Sequence, residues 1–167
     1  MKISVPLENG FLPEKYSKHS GVKIGRTPVM SFPIDIEGVP ENAASLALAF
    51  VDFDSVPVCG FVWIHWTAAN IPADTGTIPE NASQTGAFGM VQGSNSCASR
   101  FVGETDERIT RRYIGPTPPD KDHKYKLTVY ALDSELELND GFFLNELLEK
   151  MEGHILDKTA VIIPAHC

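Results

Sequence analysis

Two stretches of this chain hold most of the side chains able to do chemistry. The first runs Asp52-Phe53-Asp54-Ser55-Val56-Pro57, continues as Phe61-Val62-Trp63-Ile64-His65-Trp66 and closes with Asn70-Ile71-Pro72. The second is Gly115-Pro116-Thr117-Pro118-Pro119 followed by His123-Lys124-Tyr125. A strand alternates its side chains, so His65 should share a face with Trp63 and Phe61, with Trp66 on the other, and His123 should share one with Tyr125. A carboxylate beside an imidazole fixes its tautomer and favours the charged ring, an arrangement suited to holding an anion. If the strands carrying these motifs lie in one sheet, Asp52, Asp54, His65, His123 and Tyr125 converge. The plainer alternative, that each histidine is a satisfied polar residue at the edge of a core, applies to each one taken singly.

Other chemistries have weaker support. Ser55, Ser94 and Ser96 lie near these motifs but in no G-x-S-x-G elbow, and nothing marks an activated nucleophile. A hydrolase acting on a small phosphate or acyl substrate, with His65 and His123 as acid-base groups, is the competing class. Two histidines and two aspartates could in principle hold a metal, but the HExxH spacing and clustered cysteines that would signal one are missing. No catalytic residue, metal ligand or cofactor is therefore assigned. Pro116, Pro118 and Pro119 have a structural use as well, stiffening a turn beside the pocket without donating hydrogen bonds.

The elements that must position these groups can be read from the rest of the chain. At 167 residues it has the length of one domain with a full core, residues 1–167. Its net charge of -8 argues against nucleic acid and against general attraction to anionic membranes, without excluding one local anion pocket. The start of the chain has no apolar signal segment and no run approaches a membrane span, so a cytoplasmic protein without integral membrane contact is expected. Cys59, Cys97 and Cys167 are odd in number and widely spaced, and read as free thiols.

Residues 1–27 suggest short strands and turns, and 29–36 an irregular strand broken by Pro33. Ser45–Val51, apolar on both faces, reads as a central strand that delivers Asp52 and Asp54 at its end. Phe61–Thr67 is a second such strand, left by a loop through Asn70-Ile71-Pro72, and Lys124–Asp133 a third. A short strand is expected within 87–93 and a solvated loop over 94–114, where acids and arginines interleave. Helical spacing appears only near the C-terminus, with Phe142, Phe143, Leu147, Met151 and Ile155 on one side, Asn139 or Asp140 as cap and Gly153 as end. Thr159–Pro164 closes as a strand. The fold class is mostly β: an antiparallel sandwich-like fold, a large central sheet plus a smaller one, with a C-terminal helix.

Taken together, Asp-x-Asp with a nearby proline, Trp-x-His-Trp, Asn-Ile-Pro, Gly-Pro-x-Pro-Pro, His-x-Tyr and Tyr-Ala-Leu-Asp resemble the phosphatidylethanolamine-binding protein family. The likeness is closer to its bacterial, Raf-kinase-inhibitor-like branch and runs from about residue 29 to the C-terminus. It implies that Asp52, Asp54, His65, Pro116, His123 and Tyr125 line a small pocket accepting phosphate-type groups and similar anions. Gly93-Ser94-Asn95-Ser96 resembles the loop beside that pocket. It also implies a non-enzymatic binding protein, a homodimer, with a protein partner to regulate. The chain departs from the pattern at the pocket rim: Pro57 is one residue late, Phe53 stands where a proline is usual, and the Ser-Pro-x-x-x-Trp pattern before Gly38 is missing.

Overall fold

The strand from Ser45 to Asp52 is buried along its whole length, as an apolar run without alternation demands. It is the middle of the main sheet in a computed structural model that describes residues 1–167. In chain order the strands are β1 (Lys2–Ser4), β2 (Lys23–Ile24), β3 (Thr27–Pro28), β4 (Ile34–Glu37), β5 (Ser45–Asp52), β6 (Trp63–Pro72), β7 (Thr77–Ile78), β8 (Val91–Gln92), β9 (His123–Leu132) and β10 (Ile155–Ala165). The helices are the single turns α1 (Val56–Cys59), α2 (Ala82–Thr85) and α3 (Glu107–Thr110), and the longer α4 (Leu144–Met151).

Five strands form the large antiparallel sheet in the order β10-β9-β5-β6-β8, and three form a smaller one in the order β1-β4-β7. The three motif-bearing strands are thus neighbours, with β5 between β9 and β6. One face of the large sheet contributes Leu46, Leu48, Phe50, Trp66, Leu127 and Val129 to the main core, which Ile34 and Ile36 of the smaller sheet complete. Each such aliphatic or aromatic side chain contributes about 1.5–3 kcal/mol by leaving water. The opposite face carries Ala47, Ala69 and Leu132, covered by Phe142 and by Leu147 and Met151 of α4. The expected antiparallel sandwich with a C-terminal helix is therefore the architecture found.

Several local expectations are corrected. Asn70-Ile71-Pro72 does not leave the sheet; β6 continues through it. Two β5 positions, Leu46 and Leu48, span three steps of β6, from Ile71 to Ala68. Asn70 absorbs the extra residue in the left-handed region, at φ 57°, where asparagine is tolerated. Its side-chain amide donates to the Leu136 carbonyl and its carbonyl accepts the Leu136 amide, at 2.9 and 2.8 Å. Residues 94–114 are not solvated throughout, since Asn95, Ile109, Tyr113 and Ile114 are buried. Asn95 holds the segment in, donating to the carbonyls of Ile109 and Arg112 and accepting from the Cys97 amide.

The helix is shorter than its apolar stripe suggests, because Ile155 already belongs to β10. Neither Asn139 nor Asp140 caps it. The Glu146 carboxylate accepts the Phe143 amide at 2.7 Å, while Asp140 accepts the Gln92 amide. The strand expected within 87–93 shrinks to Val91–Gln92 after a 3-10 turn at Ala87–Gly89. No helix is long and apolar enough to cross a membrane.

Candidate functional site

The ends of β5, β6 and β9 meet at one edge of the main core. Asp52 pairs with Trp63 on β6 and with Tyr125 on β9, so these three side chains rise on the same face. His123, two residues before Tyr125, joins them. On β6 the register slips: Phe50 pairs with Trp66 but Val51 with Ile64, which leaves His65 as the inserted residue of a bulge. The bulge overturns the expected opposition of His65 and Trp66. His65 stays with Trp63 in the wall of the site, and Trp66 joins the same side one step deeper. There its indole N–H donates to Gln92 Oε1 at 2.9 Å. Beyond the reach of short β8, the Ile64 amide donates instead to Ser96 Oγ at 2.8 Å, which puts the Gly93–Ser96 loop behind the bulge.

The second motif closes the site from the other side. Ile114 donates its amide to the His65 carbonyl, and the chain then passes tightly over the N-terminal region. At Gly115 any Cβ would sit 2.6 Å from the Tyr16 carbonyl oxygen, so glycine is a packing requirement there. The cavity that results has a volume of about 210 Å³ and is walled by Asp52, His65, His123 and Tyr125 together with Trp63 and the prolines 118 and 119. Of the residues singled out in the sequence, Asp54 and Pro116 lie outside this lining. Asp54 accepts the Lys124 amide at 2.9 Å and so ties the β5 end to the start of β9, and Pro116 is buried beneath the turn.

Sequence reasoning missed Ser55, Val58 and Cys59 as wall residues. They come from α1, whose signal was present: Pro57 lies in its first turn and Gly60, at φ 90°, follows its last residue. Thr117 and Asp120 were missed too. Thr117 lines the cavity, and Asp120, next to Pro119, bonds to His123.

The hydrogen bonds fix the protons. His65 Nδ1 lies 2.8 Å from the Ile114 carbonyl, which only accepts, so Nδ1 carries hydrogen and Nε2 presents a lone pair in the neutral ring. Nε2 has no partner within the protein. Burial pushes the His65 imidazole down to about 4, against smaller opposing contributions from the Ile114 carbonyl and the Asp52 charge. His123 differs. Its Nδ1 lies 2.8 Å from Asp52 Oδ2 and its Nε2 2.9 Å from Asp120 Oδ1. Burial disfavours its charge, but the two carboxylates outweigh burial and raise it above the ordinary histidine value. With both acids ionised it is an imidazolium donating from both nitrogens. The Tyr125 hydroxyl is raised by burial and by the charges of Asp52, Asp54 and Asp120, and remains a neutral donor.

Ser55, the one serine in the wall, is fully engaged. Its Oγ donates its one hydrogen to the Asp52 or the Phe61 carbonyl, at 2.7 and 2.9 Å, and accepts the Trp63 amide at 2.9 Å. It braces the strand ends. No group of three or more His, Cys, Asp or Glu side chains is arranged to hold a metal ion.

All three cysteines are free. Cys59 and Cys167 are exposed, whereas burial and the Glu104 charge push the Cys97 thiol up to about 11. Thiol titration should therefore count three in denaturant, and in the native protein near pH ~8 show two fast thiols and a third at least about tenfold slower. A native disulfide would contradict this.

The architecture and the walled cavity at the strand ends define an antiparallel β-sandwich protein of the ligand-binding kind. A family model described as phosphatidylethanolamine-binding protein matches residues 2–164. Over 155 residues the chain is 54% identical to the uncharacterised protein YxkA of Bacillus subtilis, covering 92% of each. A UPF0098 protein of Methanothermobacter thermautotrophicus is 38% identical over 80% of each chain. Among solved structures, a phosphatidylethanolamine-binding protein homologue from Chlamydia trachomatis superposes with a TM-score of 0.75 at 30% identity, covering 94% of this chain and 90% of that one. Escherichia coli YbcL, at 21% identity, shares the fold with a TM-score of 0.77 over 99% and 98% of the two chains. The chain belongs to the phosphatidylethanolamine-binding protein family.

Proposed function

We propose that the chain binds a small anionic or phosphate-bearing ligand in the cavity walled by Asp52, His65, His123 and Tyr125, without transforming it. The observation that carries this reading is His65: an imidazole only 4% exposed, oriented by Ile114, whose Nε2 has no protein partner while the residue lines a cavity. Because the ring lines the cavity, only water or a ligand group there can partner that nitrogen. The Tyr125 hydroxyl adds a neutral donor. At about 210 Å³ the space suits a head group rather than the ~300–1,000 Å³ of drug-sized sites. The hydrolase alternative has no support in the geometry, since Ser55 is engaged as a brace and neither imidazole bonds to a nucleophile.

Calorimetric titration with inorganic phosphate tests the reading. Wild type should bind, and His65→Gln should bind at least about tenfold more weakly, the loss expected for one hydrogen bond to a charged group. No heat from wild type at millimolar phosphate would overturn it. Turnover of generic phosphate or carboxylate esters that disappears with His65 would replace it with the hydrolase.

A further inference from the structure

The His123 imidazolium is the positive charge in this site, and neither of its N–H groups is free. Asp52 holds Nδ1 and cannot leave: its side chain is 5% exposed, and its other oxygen accepts the Ser55 amide at 3.2 Å. Asp120 holds Nε2 from the lip, next to Pro119 of the cavity wall, with a side chain that is 48% exposed. If Asp120 swings outward, its charge goes into water and Nε2–H is left facing whatever fills the site. The two carboxylates thus have different consequences for a ligand, although both bond to the same ring.

Resting on the anion-binding reading, we propose that Asp120 is a tethered stand-in for the ligand. Its carboxylate occupies the His123 Nε2 position, and an incoming anion binds by displacing it. Asp120 then sets which anions are accepted. A simple carboxylate is the chemical equal of the group it must displace, and the tethered group has an effective concentration on the order of millimolar or more. A phosphoryl group brings up to two charges and three acceptor oxygens, and so can exceed the single hydrogen bond it replaces. The ligand class favoured is a phosphate monoester or inorganic phosphate over monocarboxylates. Prolines 116, 118 and 119 limit the loop's freedom, so the motion required is a rotation of the Asp120 side chain with little change in the backbone before it.

The test compares wild type, Asp120→Ala and Asp122→Ala in calorimetric titrations with inorganic phosphate and with acetate, at pH ~7 and ~0.15 M salt. Asp122 lies in the same loop but bonds to the Cys167 amide and His166, so its replacement reports only the loss of one nearby negative charge. Asp120 is on the surface, and its loss should leave the fold intact. Asp120→Ala should bind both probes about fivefold or more tightly, with Asp122→Ala within about twofold of wild type. The wild-type preference for phosphate over acetate should be at least about tenfold. Equal or weaker binding by Asp120→Ala overturns the stand-in role while leaving anion binding in place, and so does an equal gain in Asp122→Ala. Binding of neither probe by wild type or by Asp120→Ala overturns both readings together.

Discussion

The folded protein should lose about 3 kcal/mol of stability as pH falls from about 6.5 to about 4, and His65→Gln should lose much less over that interval. The His65 ring titrates at about 4 in the folded state because burial penalises its charge, against ~6.5 in an unfolded chain. Between those values the unfolded chain holds a proton that the folded one does not. Stability is therefore complete above the unfolded value and drains as pH falls through the window, by ~1.4 kcal/mol for each pH unit between the two values. His123 acts with the opposite sign. Its folded value is raised, so its contribution is complete below the unfolded value and is lost only as pH rises through the folded one. Urea unfolding at half-unit steps from pH 8 to 4 would measure the acid limb. Parallel acid limbs in wild type and His65→Gln would show that the ring protonates in the folded state as easily as in the unfolded one.

What the sequence made legible follows from how local its signals are. β5 stands out because a strand between two layers must be apolar on both faces, which Leu46-Ala47-Leu48-Ala49-Phe50 satisfies without reference to anything else, and β9 because Tyr125, Leu127, Val129 and Ala131 alternate with more exposed residues. The His65 bulge carries no glycine or proline to announce it, and a one-residue slip moves every later side chain to the other face, so strict alternation puts Trp66 on the wrong side. Asn70 is visible as a residue tolerant of left-handed backbone, but the same tolerance serves a turn and a bulge equally. Residues 94–114 look solvated because the hydrogen bonds that pull Asn95 inward run to Ile109 and Arg112, partners that polar composition does not reveal. At the candidate site, the types Asp, His and Tyr at strand ends are enough to bring Asp52, His65, His123 and Tyr125 to one cavity. Whether a carboxylate faces the cavity or the backbone is not readable from type and position, which is why Asp54 turns out to tie down Lys124.

The same depression of His65 governs ligand binding. After allowance for phosphate's own titration within this range, its affinity should rise as pH falls from about 8 to about 5, approaching tenfold per unit and on the order of 100-fold across the steepest two units. The groups facing the ring are the Ile114 carbonyl, the Asp52 carboxylate, the His123 imidazolium and the Tyr125 ring edge-on at 5.1 Å. None of them protonates Nε2 in the empty site above about 4. An acceptor-only anion at Nε2 therefore needs a proton there, which bulk water must supply, whereas His123 already carries its own. One proton should be taken up per ligand, not the two that a pair of ordinary histidines would give. As pH rises, the gain ends at the raised pKa of His65 in the complex; as pH falls, it ends near 4, where the empty site protonates too. Calorimetry in two buffers of different ionisation enthalpy reads the proton count directly, with His123→Gln as the comparison. That variant should bind phosphate weakly but keep the slope, because its His65 is intact. A flat wild-type profile without buffer-dependent heat would mean that the ligand itself donates to Nε2 and that His65 stays neutral in the complex.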